Sequence, residues 1–238
     1  MIKEKKFVFI SQPFGMGDVI FSMGIANYFK KHGYHIHWPV RGQYLESLRR
    51  AYPKIHFVDV TSVNQELLMI KEIDKDADGM RIVPIRWSDT VMKVPYKFVM
   101  RAKYDMYSLD WTTWKRAARW NRHYGKEKDL IAFLGIQPGE EYNLINQRYG
   151  GQHRVVDINV NNGLRNIYMT DVIGFSVFDW ASVIERAANL HMVSTSTLYM
   201  TEVLELSCKE NHLYTRNPVE QNLDYVSYIL SKEYILHE

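Results

Sequence analysis

Two kinds of hydrophobic pattern alternate along the first third of the chain. Phe7-Val-Phe-Ile10 is a short unbroken apolar run, the pattern of a buried strand. A turn with Gly15 and Gly17 follows, carrying one carboxylate, Asp18. Beyond it Val19, Met23, Ala26 and Phe29 recur at helical spacing, and the helix should close at Gly33. Further strands are predicted at 34–40, 55–60 and 80–85, with helices at 43–51 and 65–73 between them. Strand–helix alternation of this kind predicts a parallel sheet covered by helices.

The pattern breaks at 87–128, which lacks strand signals and is rich in bulky aromatics and cations. It reads as helices with an interruption near 108–110. The alternation then resumes. Strands are expected at 142–146, 154–160 and 165–169, with turns at 149–151 and 161–163. An amphipathic helix is expected over 178–190, where Trp180, Val183, Ile184 and Ala187 share a face. A strand at 191–194 leads directly into a helix reaching about residue 207. A strand at 212–215 and a last helix from Leu223 complete the expectation. The fold class is therefore expected to be α/β, with two Rossmann-like halves facing across a cleft. The expected division is 1–107 for the N-terminal half, 108–130 for a basic aromatic helical connector and 131–238 for the C-terminal half.

Composition narrows this picture only slightly. Of 238 residues, 46% are hydrophobic and 24% charged, enough for an ordinary core. A net charge of +3 does not by itself imply a polyanionic partner. The single cysteine, Cys208, excludes an intrachain disulfide and a cysteine-rich zinc site. Met1-Ile-Lys-Glu-Lys-Lys6 leads into a short strand and not a long apolar stretch, and no run has the length of a membrane span. The expected compartment is the cytoplasm.

Three places carry candidate chemistry. In open α/β sheets ligands bind beyond the C-terminal strand ends, where Gly15, Gly17 and Asp18 fall. Asp18 there serves either as a base or as a helix cap. The run Ser194-Thr-Ser-Thr197 lies between a strand and a helix. Its hydroxyls and the free helix N–H groups suit a phosphate, with Glu202 two turns on for a ribose; simple N-capping is the competing role. Asn146, Gln147 and Arg148 follow the first strand of the second half. Arg148 there suits a diphosphate leaving group, or is a solvated surface arginine. In the basic aromatic segment, Arg116, Arg119 and Arg122 suit an anionic acceptor, a glycan or DNA, if its aromatics do not simply pack.

These segments resemble the heptosyltransferase-like glycosyltransferases of the GT-B class, glycosyltransferase family nine. The stretch from Ser11 through Gly-Met-Gly-Asp18-Val-Ile looks like that family's N-terminal motif, and Asp179 to Thr197 looks like its C-terminal signature. The resemblance covers roughly a third of the chain. It implies Asp18 as general base and a nucleotide-sugar donor as co-substrate; no cofactor is expected, and with no convincing Asp-x-Asp or His/carboxylate cluster, no metal either. Gly15, Gly17, Asn146 to Arg148, Ser194 to Thr197 and Glu202 would hold the donor. The acceptor would be a saccharide or a hydroxylated base in DNA. The alternative is a non-catalytic protein of the same fold that binds a nucleotide-sugar or nucleic acid. The phosphate turn departs from the family's pattern, having neither its glycine nor its histidine.

Other patterns carry less. Asp74-Lys-Asp76 and Asp76-Ala-Asp78 imitate a metal-binding Asp-x-Asp but sit in a charged helix end. His32, His35 and His37 lack a fourth zinc ligand. Gly15-x-Gly17 lacks the third glycine of a dinucleotide fingerprint, which weakens an oxidoreductase reading.

Overall fold

The computed structural model describes residues 6–12, 15–75, 80–85, 89–150, 154–216 and 228–237. Internal contacts divide the chain into two units, Met1–Asn121 and Arg122–Glu238.

The first unit opens with β1 (Lys6–Ile10), α1 (Met16–Phe21) and α2 (Met23–Lys31). β2 (Tyr34–Val40), α3 (Gly42–Ala51), β3 (His56–Asp59), α4 (Val63–Lys75) and β4 (Met80–Val83) follow. The strands pair in parallel in the order β3-β2-β1-β4. Val8, Phe9, Ile10, Trp38 and Phe57 lie buried in this sheet, and Val19, Met23, Ala26 and Phe29 are buried as their helical spacing requires. Gly33 has φ +84°, a left-handed conformation that lets the chain leave α2 for β2.

The basic aromatic segment folds as α5 (Asp89–Lys93), α6 (Val99–Asp105) and α7 (Trp114–Ala117), and continues in the second unit as α8 (Tyr124–Phe133). The expected interruption falls at Ser108, whose φ is +52°. Residues up to Asn121 pack on the first unit: the Tyr52 hydroxyl donates to the Ala118 carbonyl (2.6 Å), and the Asn121 amide to the Ala51 carbonyl (2.8 Å). Tyr104 lies edge-on to Phe21, with ring centroids 5.2 Å apart, and donates to the Phe21 carbonyl at 2.6 Å. That ring comes so close to α2 that a Cβ on Gly24 would stand 2.4 Å from its hydroxyl and 2.8 Å from Cε1. Three of the segment's large aromatics, Tyr104, Trp114 and Trp120, thus serve as core, while Phe98 and Tyr124 are exposed.

In the second unit, β5 (Tyr142–Asn146), β6 (Arg148–Tyr149), β7 (Arg154–Val155), β8 (Arg165–Tyr168), α9 (Ala181–Arg186), β9 (Asn189–Val193), α10 (Ser196–Val203), β10 (Glu210–Tyr214) and β11 (Ile235–His237) follow α8. The main sheet is parallel, in the order β11-β10-β9-β5-β8. Three expectations change here. Residues 154–160 do not form a full strand: β7 pairs only with β6, antiparallel, and 156–160 run on as a strap whose Ile158 packs on Ile145 and Val193. The helix expected over 178–190 is a 3-10 turn, Val177–Trp180, followed by the short α9. Ala187 is already extended, because Leu190 satisfies a buried strand as well as a helical stripe. The chain ends in β11, not in a helix; positions 223–227 of the expected helix lie outside the described residues.

An asparagine network fixes one face of this sheet. Asn143 donates to Asn162 (2.7 Å) and Asn166 (2.8 Å) and accepts from Asn162 (3.0 Å) and Asn189 (2.9 Å). On the same face His191, opposite His212 in the register, is buried and stacks on its ring at 4.2 Å. Burial, then the nearby His212 and His237, pushes the His191 pKa down to about 4. The unfolded chain therefore binds a proton that the folded one refuses between about pH 6.5 and 4. Stability should fall as pH drops through that window, by up to about 3 kcal/mol. Urea titrations across it should show the slope, and His191→Gln should flatten it.

Candidate functional site

In the first unit the site forms where β1 ends. Ser11 donates from its amide to the Val83 carbonyl (2.9 Å) and from its hydroxyl to Glu66 Oε1 on α4 (2.5 Å), pinning the strand end. The chain then turns into α1 through Gly15, at φ +81°. Asp18 sits within the first turn of α1, past the N-cap residue Gly15, and makes no cap. Its Oδ1 instead accepts from the ammonium of Lys103 on α6. The Lys103 side chain is 2% exposed and that of Asp18 38%, so a buried cation holds a carboxylate that still reaches solvent. An ammonium this deep needs such a counter-ion. The other oxygen, Oδ2, lies over Gly15, where a Cβ would stand only 2.3 Å away. Gly15 is therefore required both by its backbone angle and by the closeness of the carboxylate. Gly17 is buried inside α1.

In the second unit the corresponding strand ends are those of β5 and β9. Asn146 donates from Nδ2 to Thr195 Oγ1 (3.1 Å) and to Thr197 Oγ1. Thr195 is the N-cap of α10 yet makes no side-chain capping bond, so its hydroxyl turns to the neighbouring strand. Ser194 and Thr197 are buried, and Thr195 and Ser196 half-buried. The first turn of α10 thus meets a rim of amide and hydroxyl groups suited to a phosphate. Gln147 is half-buried, and its carbonyl accepts from the Val156 amide (2.9 Å); Arg148 is exposed on β6.

Two expected ligand residues are committed elsewhere. Glu202 is buried and accepts from the Ser231 amide and hydroxyl (both 2.9 Å) and the Tyr234 hydroxyl (2.8 Å). Its carboxylate anchors the C-terminal segment through these bonds. Arg122, expected on an acceptor surface with Arg116 and Arg119, enters an internal network. It donates from Nε to Glu127 Oε1 (2.9 Å) and from Nη1 to Glu185 Oε1 (2.6 Å), and Ser182 donates to Glu127. Burial alone would push the Glu127 pKa up, but hydrogen bonds from Arg122 and Ser182 hold it below the usual carboxylate value. Arg116 and Arg119 are exposed on the first unit.

Sequence reasoning missed Lys103 and Glu66. Lys103 lies 85 positions from Asp18 and Glu66 55 from Ser11, with no local motif to flag either. Among the described residues no group of three or more His, Cys, Asp or Glu side chains is placed to hold a metal ion. Asp76 and Asp78 lie outside those residues. No described helix is long and apolar enough to cross a membrane.

Two parallel α/β sheets, each with polar groups gathered at the C-terminal strand ends, define a GT-B-like glycosyltransferase fold. The glycosyl transferase family 9 structure from Veillonella parvula superposes with a TM-score of 0.61 at 9% identity, over 99% of this chain and 88% of that one. The ADP-heptose lps heptosyltransferase II of E. coli aligns with a TM-score of 0.48 at 8% identity, over 98% of this chain and 92% of that one. No protein-family model and no curated protein matches the chain.

Proposed function

We propose that this protein transfers a sugar from a nucleotide-sugar to an acceptor hydroxyl with inversion at the anomeric carbon. The observation that carries the proposal is Asp18, held by a buried lysine at the end of β1 with its carboxylate still open to solvent. The fold shared with a family 9 glycosyl transferase supports it. Asp18 takes the proton of the acceptor hydroxyl as its oxygen attacks the anomeric carbon. The new glycosidic bond forms as the bond to the diphosphate breaks, and the nucleoside diphosphate leaves with both electrons. The first turn of α10, the Asn146–Thr195–Thr197 cluster and Arg148 neutralise that leaving group, in place of a metal or other cofactor.

A saccharide is favoured as acceptor over a base in DNA. Of the rings in the basic aromatic segment, Tyr104, Trp114 and Trp120 are buried in the core while Phe98 and Tyr124 are exposed, so the surface left for stacking bases is reduced. Calorimetric titration with nucleoside diphosphates, with chelator present throughout, tests the donor half. Arg148→Ala should weaken binding by about 1.5–3 kcal/mol, the worth of a charge-assisted hydrogen bond. Unaltered binding removes Arg148 from the site, and transfer that needs added manganese refutes the metal-free mechanism. Donor binding without any turnover would mark a non-catalytic binding protein.

A further inference from the structure

At the opposite end of the first sheet from Asp18 lies a second polar feature, which sugar transfer does not use. A depression of about 410 Å³ opens over the N-terminal ends of β1, β2 and β3. His35 and His37 project into it from β2 and His56 from β3, with His37 and His56 opposite each other in the register. Lys30 enters from the last turn of α2 and Lys54 from the loop before β3. Phe7 forms the floor, its ring 5.5 Å from that of His35 and 5.4 Å from that of His37. The His37 and His56 rings meet edge to face at 4.7 Å.

The charge pattern is one-sided. Five basic side chains line the depression, and no aspartate or glutamate does. Among the described residues none of the five is joined to a carboxylate. Some cations elsewhere are paired, Lys103 with Asp18, Arg122 with Glu127 and Glu185, and Lys209 with Glu141. Lys6 adds a further positive group nearby, its ammonium 6.0 Å from the centre of the Tyr34 ring. Tyr34 itself belongs to the lining. Two lysines and three histidines, which gain charge on protonation, together with an aromatic ring in one lining, are complementary to an anion that carries a flat apolar group.

We propose that this depression binds a soluble phosphomonoester, with the phosphate between Lys30, Lys54 and the three histidines and an apolar ring against Phe7. Size supports the choice, since a depression of this volume holds more than a bare phosphate. Histidine makes the site acid-strengthened: each imidazole that takes a proton adds a charge and a donor towards the dianion. Desolvation, then His56 and His35, holds the His37 pKa below its ordinary value in the absence of ligand. An anion among the three rings relieves that repulsion.

The test uses imidazole proton and carbon NMR on the full chain, titrated with phenyl phosphate, inorganic phosphate and, as control, chloride at equal ionic strength. The His35, His37 and His56 signals should move with phenyl phosphate, less with inorganic phosphate, and not with chloride. Affinity at about pH 6 should exceed that at about pH 8 at least ~10-fold. The double variant Lys30→Gln/Lys54→Gln should weaken binding roughly tenfold with an unchanged melting temperature. Histidine signals that ignore phenyl phosphate, or respond equally to chloride, overturn the proposal. So does binding to vesicles with anionic headgroups that phenyl phosphate does not displace, which would assign the patch to a membrane surface. Nucleoside diphosphate titrations on the Arg148→Ala variant report separately on the second unit, so failure of one reading leaves the other measurable.

Discussion

Replacing Asp18 by Asn is expected to reduce sugar transfer at least ~10²-fold, because the amide cannot accept the proton of the acceptor hydroxyl. The shape of the side chain and one oxygen facing Lys103 are kept. The charge is not, and Lys103 is left as a buried ammonium without its counter-ion. A fall in stability of about 1–3 kcal/mol should accompany the loss of rate, below the range for fully buried pairs because Asp18 is partly exposed. The two effects are separable. The double variant Asp18→Asn/Lys103→Met removes both charges and should regain most of the stability while remaining inactive. If Asp18 served only to neutralise Lys103, that double variant would recover turnover along with its melting temperature, and the proposed mechanism would fall.

Glu127→Ala carries the largest expected effect on stability. Glu127 is 1% exposed and receives hydrogen bonds from Arg122 and Ser182, while Arg122 also bridges to Glu185. Truncation leaves Arg122 half-paired beside an empty space, at a cost of about 3–5 kcal/mol. For a folding unit of this size the melting temperature should drop by more than about 10 °C. Glu127→Gln keeps acceptor and volume and should lose less. A thermal scan that shifts by only a degree or two for the alanine variant would mean that the network behaves like a surface pair.

The parallel strands were the most legible part of the fold. β2 and β5 match the expected ranges, 34–40 and 142–146: β2 alternates histidine with large apolar residues, and β5 carries a short β-favouring core of Tyr142, Leu144 and Ile145. Legibility failed where one pattern satisfies two structures. Ala187 and Leu190 continue the stripe of α9, yet the chain turns extended and puts Leu190 into β9. Val156, Ile158 and Val160 alternate like a strand, but beyond the Val156–Gln147 backbone bond they run on as a strap whose apolar side packs on the sheet. For the candidate site, Asp18, Asn146 and Thr195 to Thr197 could be read from their position after strands. Glu202 and Arg122 could not be ruled out from sequence, since the groups that occupy them, Ser231, Tyr234, Glu127 and Glu185, are brought by tertiary folding. Lys103 was illegible for the same reason: a lysine in a run of cations looks solvated until a distant carboxylate is folded against it.

The contact between Gly24 and Tyr104 restricts the order in which this sequence can change. Any side chain at position 24 meets the tyrosine ring, and that ring is also seated on Phe21 and bonded to its carbonyl. A substitution at 24 is harmful while Tyr104 remains, whereas a smaller residue at 104 costs packing but clears room on α2. Only after 104 has shrunk can a second change at 24 refill the space. The two positions are thus epistatic, and a descendant with alanine at 24 should be one that first passed through a reduced residue at 104.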